Sequence, residues 1–207
     1  MNAIAQLAPV ENRMNDVVPD ETLMVRYGQG DVDAFDELFR RHRNSVYAFI
    51  QGFVYAQDQW DDLFQAVFLK VVRNRKRYQP TAKFTTWLYV IVRSVCFDAI
   101  RSQKRKPVLS LVKGPSGEME DMTLTIASSE RNPRDEAHDS RLRETLSQVI
   151  QMLPDEQREA LLLKENTTMT FEEIGTMLGC PANTIKSRTH YALLAIRKQL
   201  IKRGITL

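Results

Sequence analysis

Apolar residues recur every three or four positions through most of the chain, the spacing that gathers them on one face of an α-helix. Val32, Phe35, Leu38, Phe39, His42, Val46, Phe49 and Ile50 predict a long helix from about Asp31 to Val54. Trp60, Leu63, Phe64, Val67, Phe68, Val71 and Val72 predict a second from about Asp58 to Arg73, leaving Asp61, Asp62, Gln65 and Lys70 toward solvent or a partner. Pro80 lies just beyond it, and proline pushes the residue before it out of helical geometry. A third helix carries Phe84, Trp87, Leu88, Ile91, Val92, Val95, Cys96, Ala99 and Ile100. Arg101, Lys104, Arg105 and Lys106 gather at its C-terminal end, where cations complement the helix dipole. No strand-like alternation bounded by hairpin turns occurs, so the expected fold class is all-α.

From Pro107 to Asp139 the periodicity fades into Gly114-Pro115-Ser116-Gly117, Ser128-Ser129 and Asn132-Pro133. More than thirty residues without a clear element are too many for a loop inside one domain, so this stretch is expected to be a flexible linker between two small helical domains with independent cores. The expected organisation is a disordered tail over 1–20, a first domain over 21–106, an acidic linker over 107–139 and a second domain over 140–207. In the second, Leu142, Leu146, Val149, Ile150 and Leu153 form one apolar stripe, and Pro154 opens a helix from Asp155 to about Glu165. Thr170-Phe171-Glu172-Glu173 is a capping box, Gly179 suits a left-handed C-cap, and Pro181 starts a helix running through Ile185, Ala192, Leu193 and Ile196 toward Ile201. Short helix, glycine turn and longer helix make a helix-turn-helix. The outward face of its second helix holds Asn183, Lys186, Ser187, His190 and Tyr191, with Arg188 beside them, groups able to meet base edges and phosphates.

Composition narrows the function. The 207 residues, 43% hydrophobic and 27% charged, are ordinary for a globular chain. Neither a G-x-x-x-x-G-K-[ST] nor a G-x-G-x-x-G sequence occurs, so no nucleotide-cradling loop is expected. Two cysteines and three scattered histidines make no recognisable zinc site or disulfide framework, which predicts a reduced, cytoplasmic protein without cofactors or metal. No apolar run approaches the roughly 18 residues of a membrane span. The net charge of +3 is unevenly spread: residues 20–106 carry +5, 107–139 carry −4, and 140–207 carry +3. Two basic blocks around an acidic one suit a protein that grips a polyanion at two places.

Several segments then resemble one family. Asp62-Leu63-Phe64-Gln65-Ala66-Val67-Phe68, Phe84-Thr85-Thr86-Trp87-Leu88-Tyr89-Val90-Ile91 and Asp98-Ala99-Ile100-Arg101 resemble region 2 of bacterial extracytoplasmic-function (ECF) sigma factors, of the sigma-70 family. Leu153-Pro154-Asp155-Glu156-Gln157-Arg158-Glu159, Phe171-Glu172-Glu173-Ile174-Gly175 and Thr184-Ile185-Lys186-Ser187-Arg188 resemble region 4. The resemblance covers about 21–106 and 140–203, colinearly. It implies an alternative sigma factor, not an enzyme, whose partners are core RNA polymerase, promoter DNA and, in some systems, an anti-sigma factor.

Carried over by residue, Asp61, Asp62 and Gln65 would dock the polymerase clamp. Gln79, Thr81 and Lys83 would read the single-stranded minus-10 element, with Tyr89, Arg93, Arg101, Lys104 and Arg105 along the following helix. Asn183, Lys186, Ser187, Arg188, His190 and Tyr191 would meet the duplex minus-35 element. Ser94, Thr189 and Tyr191 depart from the family's usual residues. The competing reading is a helix-turn-helix regulator that binds duplex DNA without polymerase.

Overall fold

The computed structural model describes residues 18–105 and 145–205, with side chains described through residue 102 in the first stretch. The linker expected over 107–139 lies outside the described residues, as does the expected tail apart from residues 18–20. Every regular element among the described residues is helical. In chain order they are α1 (Asp20–Gly28), α2 (Val32–Phe53), α3 (Trp60–Asn74), α4 (Phe84–Arg105), α5 (145–151 as described), α6 (Asp155–Asn166), α7 (Phe171–Leu178) and α8 (Ala182–Lys202).

Local chemistry explains where these helices start and stop. Asp31 caps α2, its carboxylate accepting the Ala34 N–H at 3.2 Å. The α2 chain turns extended at Val54, whose carbonyl accepts the Trp60 indole N–H at 2.9 Å. Helix α7 carries the full capping box, Thr170 with Glu173, and ends at Gly179 in the left-handed region, φ 68°. Helix α1 was not among the predicted elements. Its signals are Pro19 followed by Asp20 and Glu21, then Leu23, Met24 and Tyr27, all three buried.

Aromatic rings knit the first block. Phe39 meets Phe68 edge-to-face at 4.7 Å and Phe64 at 6.0 Å, while Tyr27 stacks on Phe35 at 4.7 Å. Such pairs add about 0.5–1.5 kcal/mol each beyond burial. Periodicity assigned some residues to the wrong face: Val32, Leu146, Leu193 and Ile201 are exposed rather than inward-facing. The buried stripe of α8 is Ile185, Thr189, Ala192, Ile196 and Leu200.

The two blocks do not keep separate cores. One apolar cluster runs through α1–α4 and continues into Ala160, Leu162, Leu163, Met169, Ile174 and Ile185. A smaller cluster joins Val149, Leu153 and Leu161 to the α8 stripe. At the crossing α2 carries Gly52, and Leu162 of α6 packs over it: a Cβ there would stand 2.6 Å from the Leu162 Cδ2. The physical reason the sequence could not show this is that periodicity marks a face as apolar without naming its partner.

Candidate nucleic-acid interface

Helix α3 buries Val67, Phe68 and Val71, and its opposite face exposes Asp61, Asp62, Gln65 and Leu69. Asp62, Gln65 and Leu69 follow helical spacing, so they form one stripe. Asp61 is held by the Tyr47 hydroxyl, which donates to its carboxylate at 2.9 Å. Leu69, 52% exposed, extends the stripe with apolar surface that the sequence reading had not singled out. This face offers hydrogen-bond acceptors and a leucine to a facing helix.

Between α3 and α4 lies the segment 79–83, where Gln79, Thr81 and Lys83 are all exposed. The Thr81 N–H donates to the Gln79 carbonyl at 2.8 Å, which tightens the turn. Buried Tyr78 and Phe84 bracket the loop, with Trp87 edge-on to Tyr78 at 5.1 Å. The start of α4 is fixed from a distance: the Phe84 N–H donates to the Glu21 carboxylate at 2.6 Å. Burial pushes the Tyr78 phenol up to about 12, with Glu21 and Asp20 adding to the rise.

The helix-turn-helix presents Asn183, Lys186, Ser187, His190 and Tyr191 on the exposed side of α8. His190 and Tyr191 lie ring to ring at 5.9 Å, and the Lys186 ammonium stands 5.8 Å from the Phe171 ring. The Ser187 hydroxyl donates to the Thr184 carbonyl at 3.0 Å. Arg188 points elsewhere, pairing with Glu156 and reaching Cys180 Sγ at 3.6 Å. Five exposed side chains therefore share one helix face.

The comparisons with known proteins bear on both blocks. The family model "Sigma-70 region 2" matches residues 38–106, and "Sigma-70, region 4" matches 143–196. The RNA polymerase sigma factor CarQ of Myxococcus xanthus is 34% identical over 177 residues, 86% of this chain and 95% of CarQ. The ECF RNA polymerase sigma factor SigW of Bacillus subtilis is 31% identical over 174 residues, 83% of this chain and 91% of SigW. The chain is an ECF sigma factor of the sigma-70 family. Its fold agrees: CnrH, solved in complex with the cytosolic domain of CnrY, superposes with a TM-score of 0.61 at 18% identity. That match covers 88% of this chain and 97% of CnrH.

Within the sigma factor, the expected strip along α4 is not one open surface. Tyr89 is 1% exposed, edge-on to Phe49 at 5.5 Å, and its hydroxyl donates to the Asn166 carbonyl at 3.1 Å. Burial pushes that phenol up to about 12. Arg93 pairs with Glu159 and lies over the Phe97 ring at 4.9 Å. Lys83 pairs with Glu173 at 2.7 Å. Arg101 is exposed, 4.0 Å from Asp98, while the side chains of Lys104 and Arg105 lie outside the described residues.

Two carboxylates answer these cations differently. Burial drives the Glu159 carboxyl upward, although Arg93 and Arg188 pull the other way. The Lys83 ammonium, together with the Thr170 N–H, holds the Glu173 carboxyl below its ordinary value. Glu21, Leu69, Glu159 and Glu173 are residues with roles the sequence reading missed. Glu21 left a local signal, an acidic pair at a helix start, and Glu173 was legible as part of a capping box but not as the partner of Lys83.

Proposed function

We propose that this sigma factor docks core RNA polymerase through Asp61, Asp62 and Gln65, reads the minus-10 strand with the 79–83 loop and α4, and reads the minus-35 duplex with α8. As an ECF sigma factor it directs polymerase to a subset of promoters. The observation that carries the α8 assignment is its face: five polar or aromatic side chains, all exposed, on a helix joined to α7 through the left-handed turn at Gly179. Arg188 is assigned to bracing the motif through Glu156 rather than to bases. The protein acts as a non-catalytic subunit in the cytoplasm. What supports this is membership of a family of polymerase subunits. CnrH is solved with the cytosolic domain of CnrY, and RpoE of Bartonella quintana with the anti-sigma factor NepR. By that analogy an anti-sigma protein is a further partner of this chain.

The test is polymerase-dependent transcription across single-base variants of the upstream element at two salt concentrations. Lys186→Ala should relax preference at one or two base pairs, since one good base contact gives roughly 1–3 kcal/mol of discrimination. Lys198, exposed further along α8, is assigned to a phosphate, so Lys198→Ala should weaken all variants alike and lower the salt slope by about one. Identical sequence profiles for the two variants would refute the division into base reader and phosphate anchor.

A further inference from the structure

We propose that His42 is a positioning residue of the minus-10 loop: it joins α1 to the first turn of α4, one nitrogen bonded to Asp20 and the ring laid against Phe84, and so holds the chain where the loop ends. The inference rests on the reading of segment 79–83 as the minus-10 loop, and it adds to that reading a residue that touches no base.

The loop is shaped from beneath. Its side chains Gln79, Thr81 and Lys83 are exposed, so its course is set by what its two ends rest on. Those ends are the buried rings of Tyr78 and Phe84, edge-on at 6.1 Å, with Trp87 5.8 Å from Phe84. Phe84 is tied down twice. Its N–H donates to the Glu21 carboxylate of α1 at 2.6 Å, and its ring lies 5.2 Å from the His42 ring of α2. His42 Nε2 in turn lies 2.6 Å from the carboxylate of Asp20, the neighbour of Glu21. Facing a carboxylate, that nitrogen carries the hydrogen and donates. Three helices thus close a circuit: His42 to Asp20, Glu21 to the Phe84 N–H, and the Phe84 ring back to His42.

Two features make the circuit rigid. Imidazole is planar with its donor fixed in the ring plane, so turning the ring away from Phe84 also carries Nε2 off Asp20. The His42 and Asp20 side chains are 12% and 18% exposed, which leaves their bond little competition from water. Asp20 is also held from its other side, since Arg41 donates to it at 2.7 Å and to the Val18 carbonyl at 2.8 Å. Arg41 fixes the start of α1; His42 carries that fixed point to Phe84. Base recognition needs its hydrogen-bonding groups held to within about 0.5 Å. Loosening the circuit should therefore cost discrimination among minus-10 bases rather than output on every promoter alike.

The test is transcription by holoenzyme reconstituted from core RNA polymerase and the full chain, on single-base variants of the minus-10 and minus-35 elements, with a thermal melt of each protein. His42→Phe keeps a ring against Phe84 and removes the donor. His42→Gln returns an N–H donor near the position of Nε2. His42→Phe should lower the ratio between best and worst minus-10 base at least about fivefold, the scale of one lost hydrogen bond, whereas His42→Gln should stay within about twofold of the parent. Minus-35 preference and core-polymerase binding should be unchanged in both. His42→Phe combined with Glu21→Ala should do no more than Glu21→Ala alone, since both open the same circuit. Asp20→Ala removes the bond from its other side and should repeat the loss, which decides the matter where His42→Phe does not melt cooperatively.

Minus-10 preference kept by both His42→Phe and Asp20→Ala overturns the proposal. A loss spread evenly over every promoter variant, or one that simply adds to that of Glu21→Ala, also overturns it. A glutamine variant as flat as the phenylalanine one does the same, because the donor would then not be what holds the loop. Gln79→Ala with Thr81→Ala tests the reading of the loop itself. If that variant flattens minus-10 preference while His42→Phe does not, the loop reading stands and the positioning role is discarded. If it changes nothing, the loop reading falls and takes the proposal with it.

Discussion

Replacing Glu21 by alanine removes a single carboxylate yet should be felt at the minus-10 loop, sixty-odd residues away. Its oxygen accepts the Phe84 N–H at 2.6 Å, and that N–H opens α4, where the helix itself supplies no partner. Phe84 is 2% exposed, so water cannot readily take over the bond. A lost helix cap costs about 0.5–2 kcal/mol, and an orphaned buried donor about 1–3 kcal/mol. A value of about 1–2 kcal/mol follows, equivalent to a fall of roughly 2–8 °C in melting temperature for a protein of this size. Glu21→Gln keeps an acceptor oxygen but loses the charge that favours a helix N-terminus, so it should cost about half as much. Thermal melts of the three proteins give the stability arm. Holoenzyme transcription over single-base minus-10 variants gives the functional arm, in which Glu21→Ala should flatten base preference while core-polymerase binding is unchanged. An alanine variant that melts within about 1 °C of the parent, or a glutamine variant as damaged as the alanine one, would refute the argument.

Thr189 is 7% exposed in the α8 stripe and its hydroxyl has no partner, so Thr189→Val should raise stability by about 1 kcal/mol; unchanged or lower melting would count against an unsatisfied hydroxyl. Asp20 lies 2.6 Å from His42 Nε2 and 2.7 Å from an Arg41 nitrogen. Burial works to raise its carboxyl, but the bonds from His42 and Arg41 outweigh it and hold the group below 3.8. Its contribution to stability is therefore present above pH 3.8 and lost as the pH falls through the lower folded value. Denaturant melts of parent and Asp20→Asn should differ by a constant amount at neutral pH and converge below 3.8; a gap that persists into acid would refute the linkage. Asp62→Arg with Gln65→Ala should abolish co-purification with core polymerase while leaving the cooperativity of melting intact, and a folded double variant that still co-purifies would remove α3 as the docking face.

The helices that were legible in the sequence are those whose apolar stripe meets a neighbour along most of its length. Helices α2, α3 and α4 and the α7–α8 motif all emerge from spacing and caps, because each buries a stripe against the rest of the protein. Helix α1 was missed since nine residues give barely two turns of periodicity. Its role still depended on two residues visible from the start, Asp20 and Glu21. Tyr89 shows a different limit. It stands four and twelve residues before Arg93 and Arg101, yet Tyr89 packs on Phe49 while Arg101 is exposed. A 3.6-residue helix drifts across such a strip, so one end turns inward as the other turns out.

Charge was legible in amount but not in availability. The +5 of residues 20–106 suggested an open grip on a polyanion, and the structure shows how much of it is engaged internally. Arg26 pairs with Asp31, Arg40 and Arg41 share Glu37, and Arg41 also reaches Asp20. Lys83 and Arg93 pair with acids from the second block, which carries its own net +3. Arg75 bonds the Val72 carbonyl and covers the Tyr27 ring. Among the described residues this leaves Arg73, Lys76 and Arg77 exposed and without an acidic partner, immediately before the 79–83 loop. A phosphate approaching the first block therefore meets unpaired charge beside the loop before it meets α4. On α4 itself Arg93 is engaged by Glu159 of α6, whereas Arg101 is exposed beside Asp98. Sequence spacing fixes which side chains share a helix; the acids standing opposite them decide which remain unpaired.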